Sequence, residues 1–253
     1  MLEAYIKNRR QTKDILLMTH IVMGYPSFEA SMQVVEQMVE AGVDLMELQI
    51  PFSEPMADGP VILRANQQSL EQGATLDRCF EFAATVSKRF DIPFLFMSYA
   101  NILFKYGMDR FADQMLSLGM SGAIVPDIPP EEGSDYIGAL CSRDLCPVYL
   151  FSPQTSDERM RYISGFSKGF IYCVARKGVT GKETQFTREL DDYLARCRAA
   201  TLLPLAVGFG VKDREDVEYL KGKADIAVIG SQTIRVVDEK GPGACGRFIR
   251  TLI

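Results

Sequence analysis

The sequence predicts an α/β fold, a single (β/α)8 TIM barrel covering residues 1–253, on three observations. Eight short apolar runs alternate with segments of helical period. Each run is apolar on both faces, as strands buried within a parallel sheet are. No Pro/Gly/Ser-rich linker or low-complexity tract divides the chain, and its 253 residues match the roughly 250 of a typical barrel. The expected architecture adds an N-terminal helix ahead of the first strand and a short phosphate-site helix after the eighth.

The expected strands are ILLMTHIVMG from Ile15, DLMELQIP from Asp44, PFLFMSY from Pro93 and GAIVPD from Gly122. PVYLFSP from Pro147, GFIYCVA from Gly169, PLAVGFG from Pro204 and IAVIGS from Ile226 complete the set. Helical stripes lie between them. Phe28, Met32, Val35 and Val39 form one after Pro26-Ser27. Phe111, Met115 and Leu118 form another, with Asp109 as its cap and Gly119 just past its end. A third, Leu190, Tyr193, Leu194 and Cys197, follows Thr187. Strand–helix alternation fits a closed barrel or an open doubly wound sheet. An open sheet more often carries one dominant Gly-rich turn after its first strand, and here that strand ends in MGYPS. Four loops, PFSEPMADGP, ARKGVTGKE, GFGVKD and GSQTI, are instead rich in functional residue types. All follow strand C-terminal ends, where barrels build their sites.

Composition narrows the function. Apolar residues make up 47% and charged residues 24%, a soluble-globular balance. No window approaches the roughly 18 apolar residues of a membrane span, and the polar N-terminus lacks a signal-peptide core. The net charge of −5 argues against general nucleic-acid binding. Six scattered cysteines and one histidine make a metal site a poor fit, and reduced, mostly buried thiols in a cytoplasmic protein the better one.

Strand alternation puts Glu47 and Gln49 on one face and Leu48 and Ile50 on the other. A carboxylate in an apolar strand is costly to bury without a partner or a task. In a barrel mouth its pKa is expected to rise, which suits a general acid or base. Asp58, between Ala57 and Gly59, is placed to approach from the loop, and two carboxylates in unlike environments can divide acid and base roles. Two structural readings stand beside these: Glu47 paired with a basic side chain, and Asp58 capping a helix that begins near Pro60.

Glycines mark three consecutive strand ends: Gly178 and Gly181, Gly208 and Gly210, then Gly230 before Ser231 and the helical stretch QTIRVV. Any one could be a tight turn. Together they favour a phosphate site of main-chain N–H groups, strengthened by a helix N-terminus at Ser231.

At these segments the sequence resembles the α subunit of tryptophan synthase. ELQIPFSEPMADGP (residues 47–60) is close to the family pattern E-L-G-[VI]-P-F-S-D-P-x-A-D-G-P. MGYPS, YANILFKYG, VPDIPPEE, RKGVTG, GFGV and IGS match in order along almost the whole chain. The resemblance implies a retro-aldol cleavage of indole-3-glycerol phosphate to indole and glyceraldehyde 3-phosphate, with no cofactor in this chain. It implies Glu47 as general acid/base at the indole carbon of the scissile bond, and Asp58 as holder of the indole N–H. Tyr172 would line the site, Thr180 would close a loop over Asp58, and Gly181, Gly210, Gly230 and Ser231 would bind phosphate. It also implies a pyridoxal-phosphate-bearing β subunit in an α2β2 assembly, facing residues 51–60 and the loop near Asn101.

The sequence departs from the family pattern at several places. Gln49 stands where the family has glycine, and it adds bulk and an amide able to hydrogen-bond Glu47. His20 replaces a usual aromatic, Val22 a small or hydroxyl residue, Phe170 a tyrosine and Glu54 an aspartate. His20 reads first as filling an aromatic slot. Gln49 opens an alternative function, an α chain that cleaves little and mainly activates β.

Overall fold

The computed structural model describes residues 2–174, 188–208 and 210–253. All eight apolar runs form strands: β1 (Leu16–Val22), β2 (Leu45–Gln49), β3 (Phe94–Met97), β4 (Gly122–Ile124), β5 (Cys146–Val148), β6 (Leu150–Phe151), β7 (Ile171–Val174), β8 (Leu205–Gly208) and β9 (Ile226–Ile229). Among the described residues the count is nine because the fifth run is cut in two at Tyr149. Every pairing is parallel, in the order β5-β4-β3-β2-β1-β9-β8-β7-β6. The two ends of that order, β5 and β6, belong to one stretch of chain. Tyr149 joins them: its N–H donates to Ser167 Oγ at 3.1 Å and its carbonyl accepts from Tyr172 N–H at 3.0 Å. The sheet therefore closes into a barrel.

Alternation along each strand separates two cores. Leu16, Met18, Leu45, Leu95, Ala206 and Val228 fill the barrel interior. Leu17, Met46, Leu48, Phe96, Ile171 and Cys173 pack outward under the helices. The N-terminal helix (Leu2–Arg10) seals the strand N-terminal end, placing Leu2 and Ile6 in the interior cluster. Fully buried Asp44, just ahead of β2, accepts from Arg9 at 2.7 Å and Lys13 at 2.8 Å, which satisfies its charge and anchors that seal.

The helical stripes appear where periodicity places them. Ser27 caps the helix Phe28–Glu40, its side chain accepting from Ala30 N–H. The stripe at Phe111 lies on the helix Met108–Ser117, with Gly119 at φ +70° beyond it. Its N-cap is Gly107, not Asp109, which falls in the first turn. The preceding helix, Ala100–Tyr106, ends on the same Gly107 at φ +98°, so one left-handed glycine both stops a helix and starts the next. The helix Arg188–Ala200 carries the third stripe, and Thr187 lies outside the described residues. All six cysteines are free and five are buried. Among the described residues no helix is long and apolar enough to cross a membrane.

Candidate active site

The interior turns polar at the C-terminal ends of β1 and β2. Parallel register sets His20 beside Glu47 and Val22 beside Gln49. Glu47 and Gln49 share the inward face, 2% and 0% exposed. His20 Nδ1 stands 3.1 Å from Glu47 Oε2, with the imidazole as donor when Glu47 is ionised. Glu47 thus meets a basic side chain, and both readings of its burial apply: it has a partner and it faces the mouth. Glu47 Oε1, Gln49 Oε1 and His20 Nε2 are buried with no hydrogen-bond partner among the described residues. Such groups are costly to leave unpaired, and three at one barrel mouth mark a place for a polar ligand.

Asp58 does not cap the helix that follows it. That helix, Pro60–Glu71, has Gly59 as N-cap, no side-chain cap bond and Pro60 in its first turn. Asp58 Oδ2 instead accepts from Gln49 Nε2 at 2.7 Å and from Tyr99 OH at 2.9 Å. The Gln49 amide therefore donates to Asp58, not to Glu47, because the loop brings Asp58 over the end of β2. Tyr99 OH also accepts from Ala57 N–H at 3.2 Å, and its ring stacks on Phe52 at 5.2 Å between centroids. Buried Asn66 holds the same loop by accepting from Phe52 N–H at 2.9 Å. Burial, then the charge of Asp58, pushes the Tyr99 hydroxyl far above its ordinary range, so it remains a donor. Tyr99 and Asn66 were not foreseen. Tyr99 has the inward parity of Leu95 and Met97, a usable signal; a helical asparagine offers none.

Tyr172 reaches the mouth from β7. Burial and the charges of Glu47 and Asp58 push its hydroxyl well above the usual tyrosine range. Its ring lies on Gly208: a Cβ there would sit 2.5 Å from Tyr172 Cε1 and OH. Gly208 is thus explained by the ring it seats. Phe170, one inward position deeper, belongs to the apolar interior and is fully buried. Gly210, at φ +82°, and Gly230 follow the adjacent strands β8 and β9. Gly230 is the N-cap of the helix Ser231–Lys240, which has no side-chain cap bond. Its first N–H groups are therefore open to an anion. Gly178, Thr180 and Gly181 lie outside the described residues.

The family model for the tryptophan synthase alpha chain matches residues 6–247. The tryptophan synthase alpha chain of Desulforapulum autotrophicum is 66% identical over 100% of both chains. The chain belongs to the tryptophan synthase alpha chain family. The solved alpha subunit from Legionella pneumophila str. Paris superposes with a TM-score of 0.90 at 30% identity, covering 99% of this chain and 96% of that one. A chain of the tryptophan synthase complex from Pyrococcus furiosus gives 0.87 at 26% identity, over 94% and 97%. This alpha chain exposes two large apolar side chains after strand C-terminal ends, Met56 (80% exposed) in the loop carrying Asp58 and Phe104 (78%) in the helix Ala100–Tyr106.

Proposed function

We propose that Glu47 and Asp58 are the working carboxylates of this tryptophan synthase alpha chain. The chain is a carbon–carbon lyase of tryptophan biosynthesis, cleaving indole-3-glycerol phosphate to indole and glyceraldehyde 3-phosphate, and it partners with the β subunit. The observation that carries the assignment is the pair itself. Glu47 has one oxygen tied to His20 and the other buried and unpaired, while Asp58 is held by Gln49 and Tyr99 through Oδ2 alone.

Cleavage requires a proton on the indole carbon of the scissile bond and loss of the proton from the adjacent hydroxyl. The electron pair of the broken C–C bond returns to the ring as the aldehyde forms. Glu47 Oε1 delivers the first proton and, once ionised, takes the second, so no net proton is consumed. Asp58 accepts the indole N–H and offsets the positive charge that ring protonation creates. Tyr172 packs against the substrate. Gly210, Gly230 and Ser231 hold the phosphate at the helix N-terminus, with Gly181 and Thr180 contributing as the family resemblance implies.

Residues 1–253 act as one domain, supported by a continuous sheet with the N-terminal helix sealed beneath it. The reaction needs no cofactor in this chain; pyridoxal phosphate belongs to β. Free buried cysteines support a cytoplasmic setting. Met56 and Phe104 would seat against β in an α2β2 assembly. Commitment of the Gln49 amide to Asp58 supports the lyase over the purely activating alternative.

The test is steady-state release of indole from indole-3-glycerol phosphate, with and without β. Glu47→Gln should lower kcat by about 10²–10⁴-fold. No indole from the wild-type chain, even with β, would refute the assignment.

A further inference from the structure

We propose that His20 is a positioning residue for the lyase, fixing Glu47 through Nδ1 and sharing one proton with it. This deepens the reading above and rests on Glu47 being the acid/base. Three observations carry it. Parallel register sets the two side chains beside one another on adjacent strands, facing inward. Their side chains are only 5% and 2% exposed, so water does not compete for the 3.1 Å contact. The bond engages Oε2 and leaves Oε1 as the buried, unpaired oxygen.

A side chain that merely filled an aromatic slot would need none of this geometry. His20 is also fixed from the other side. Thr233 Oγ1 donates to the His20 carbonyl at 3.1 Å, and a Cβ at Gly230 would lie in ordinary contact with His20 Cβ, at 3.8 Å. The strand carrying His20 is thereby tied to the start of the helix Ser231–Lys240 while its imidazole meets Glu47.

The shared proton has two places: on the imidazole beside an ionised Glu47, or on Glu47 Oε1 beside a neutral imidazole whose Nδ1–H still donates to Oε2. Moving between them changes neither the atom count nor the net charge of the pair. The charged groups facing His20 among the described residues are Glu47 from β2 and Asp58 from its loop. Thr233 and Gly230 bring no charge, and the Tyr172 hydroxyl stays protonated near Glu47. Burial alone would lower the His20 pKa; the hydrogen bond and charge of Glu47, with the charge of Asp58, outweigh it and raise the pKa above 6.5. The pair thus keeps a proton available near neutral pH, where an isolated carboxylic acid, with a pKa of about 4.3, has lost it.

His20 is the one histidine of the chain, so ¹⁵N-histidine labelling gives a single imidazole to follow. In the full-length wild type it should titrate above about 6.5, and in Glu47→Gln lower than in the wild type, because the largest raising contribution comes from Glu47. An unmoved titration in Glu47→Gln overturns the proposal. Kinetics supply the second arm. Wild-type kcat should fall along an alkaline limb above about pH 6.5. His20→Phe, which keeps aromatic bulk, should lose that limb from this range and lower kcat by about 10²-fold with KM within about threefold. His20→Asn, whose amide can reach Oε2, should recover at least about tenfold of that loss without restoring the limb. A wild-type profile and kcat in His20→Phe, or no recovery in His20→Asn, refutes positioning through Nδ1. A wild-type chain that releases no indole overturns the Proposed function instead, and the labelled titration still decides whether the pair shares its proton.

Discussion

Gly208→Ala should damage catalysis with one methyl group placed outside the carboxylate pair. At Gly208 the added Cβ would lie 2.5 Å from both Tyr172 Cε1 and OH and 2.7 Å from Cζ. Carbon–carbon contacts settle near 3.5–4.0 Å, so ring and strand must separate by about 1 Å. Gly208 does not have positive φ, so the effect is steric and involves no backbone strain. The strand is pinned by its ladders to β7 and β9, which leaves the ring to move. Overpacking of this kind costs about 1–3 kcal/mol, which in a chain of this length lowers Tm by roughly 2–12 °C. A 1 Å shift of a ring against Glu47 and the substrate should lower kcat/KM by about 10²-fold. The assay is indole release beside thermal unfolding of the same preparations. Tyr172→Ala supplies the control, because with the ring gone Gly208→Ala should cost no further stability, a coupling that a double-mutant cycle measures directly. Wild-type kcat/KM and Tm in Gly208→Ala would refute the packing argument, and additive losses in the double variant would place the damage elsewhere.

Gln49→Gly, the change toward the family residue, should lower kcat/KM by about tenfold or more, because a hydrogen bond to an ionised group contributes about 1.5–3 kcal/mol; increased indole release would show that Gln49 obstructs the site. Tyr99→Phe keeps the stack on Phe52 and removes both hydroxyl bonds, to Asp58 and from Ala57 N–H. It should lower kcat by roughly tenfold with Tm changed by only a few degrees, and unchanged kinetics would remove Tyr99 from the support of Asp58. Since the folded-state pKa of His20 is raised, its contribution to stability is full below about pH 6.5 and is lost as pH rises through the folded value. Urea unfolding of wild type and His20→Phe across pH 5.5–9 should show the difference moving in favour of wild type as pH falls; a constant difference would contradict the raised pKa.

What the sequence made legible follows the range of each physical rule. Strand parity is local, so the inward pairing of Glu47 with Gln49 and the barrel's strands could be read directly. Capping depends on how a chain enters a helix, and it misled twice. Asp109 yielded to Gly107, whose left-handed backbone joins two helices, and Asp58 yielded to Gly59 because its side chain was drawn to Gln49 and Tyr99. Cross-strand register is not local either. Nothing in either segment alone says that position 20 lies beside position 47, so His20 read as filler until the pairing of β1 with β2 was known. Gly208 read as a phosphate glycine because its actual neighbour, Tyr172, is on another strand.

The break at Tyr149 sets where this barrel can be taken apart. Residues before it carry β1 to β5 as one unbroken run of neighbouring strands, and residues after it carry β6 to β9 as another. Cleaving the backbone at that point would divide no strand pair, and the two pieces would still meet along the β1–β9 ladder and across the Tyr149 carbonyl to Tyr172. Glu47 and Asp58 would then arrive on one fragment, and Tyr172 with Gly210, Gly230 and Ser231 on the other. On the roles proposed for these residues, substrate chemistry and substrate grip are encoded in separate halves, which reassembly of the fragments would have to bring back together.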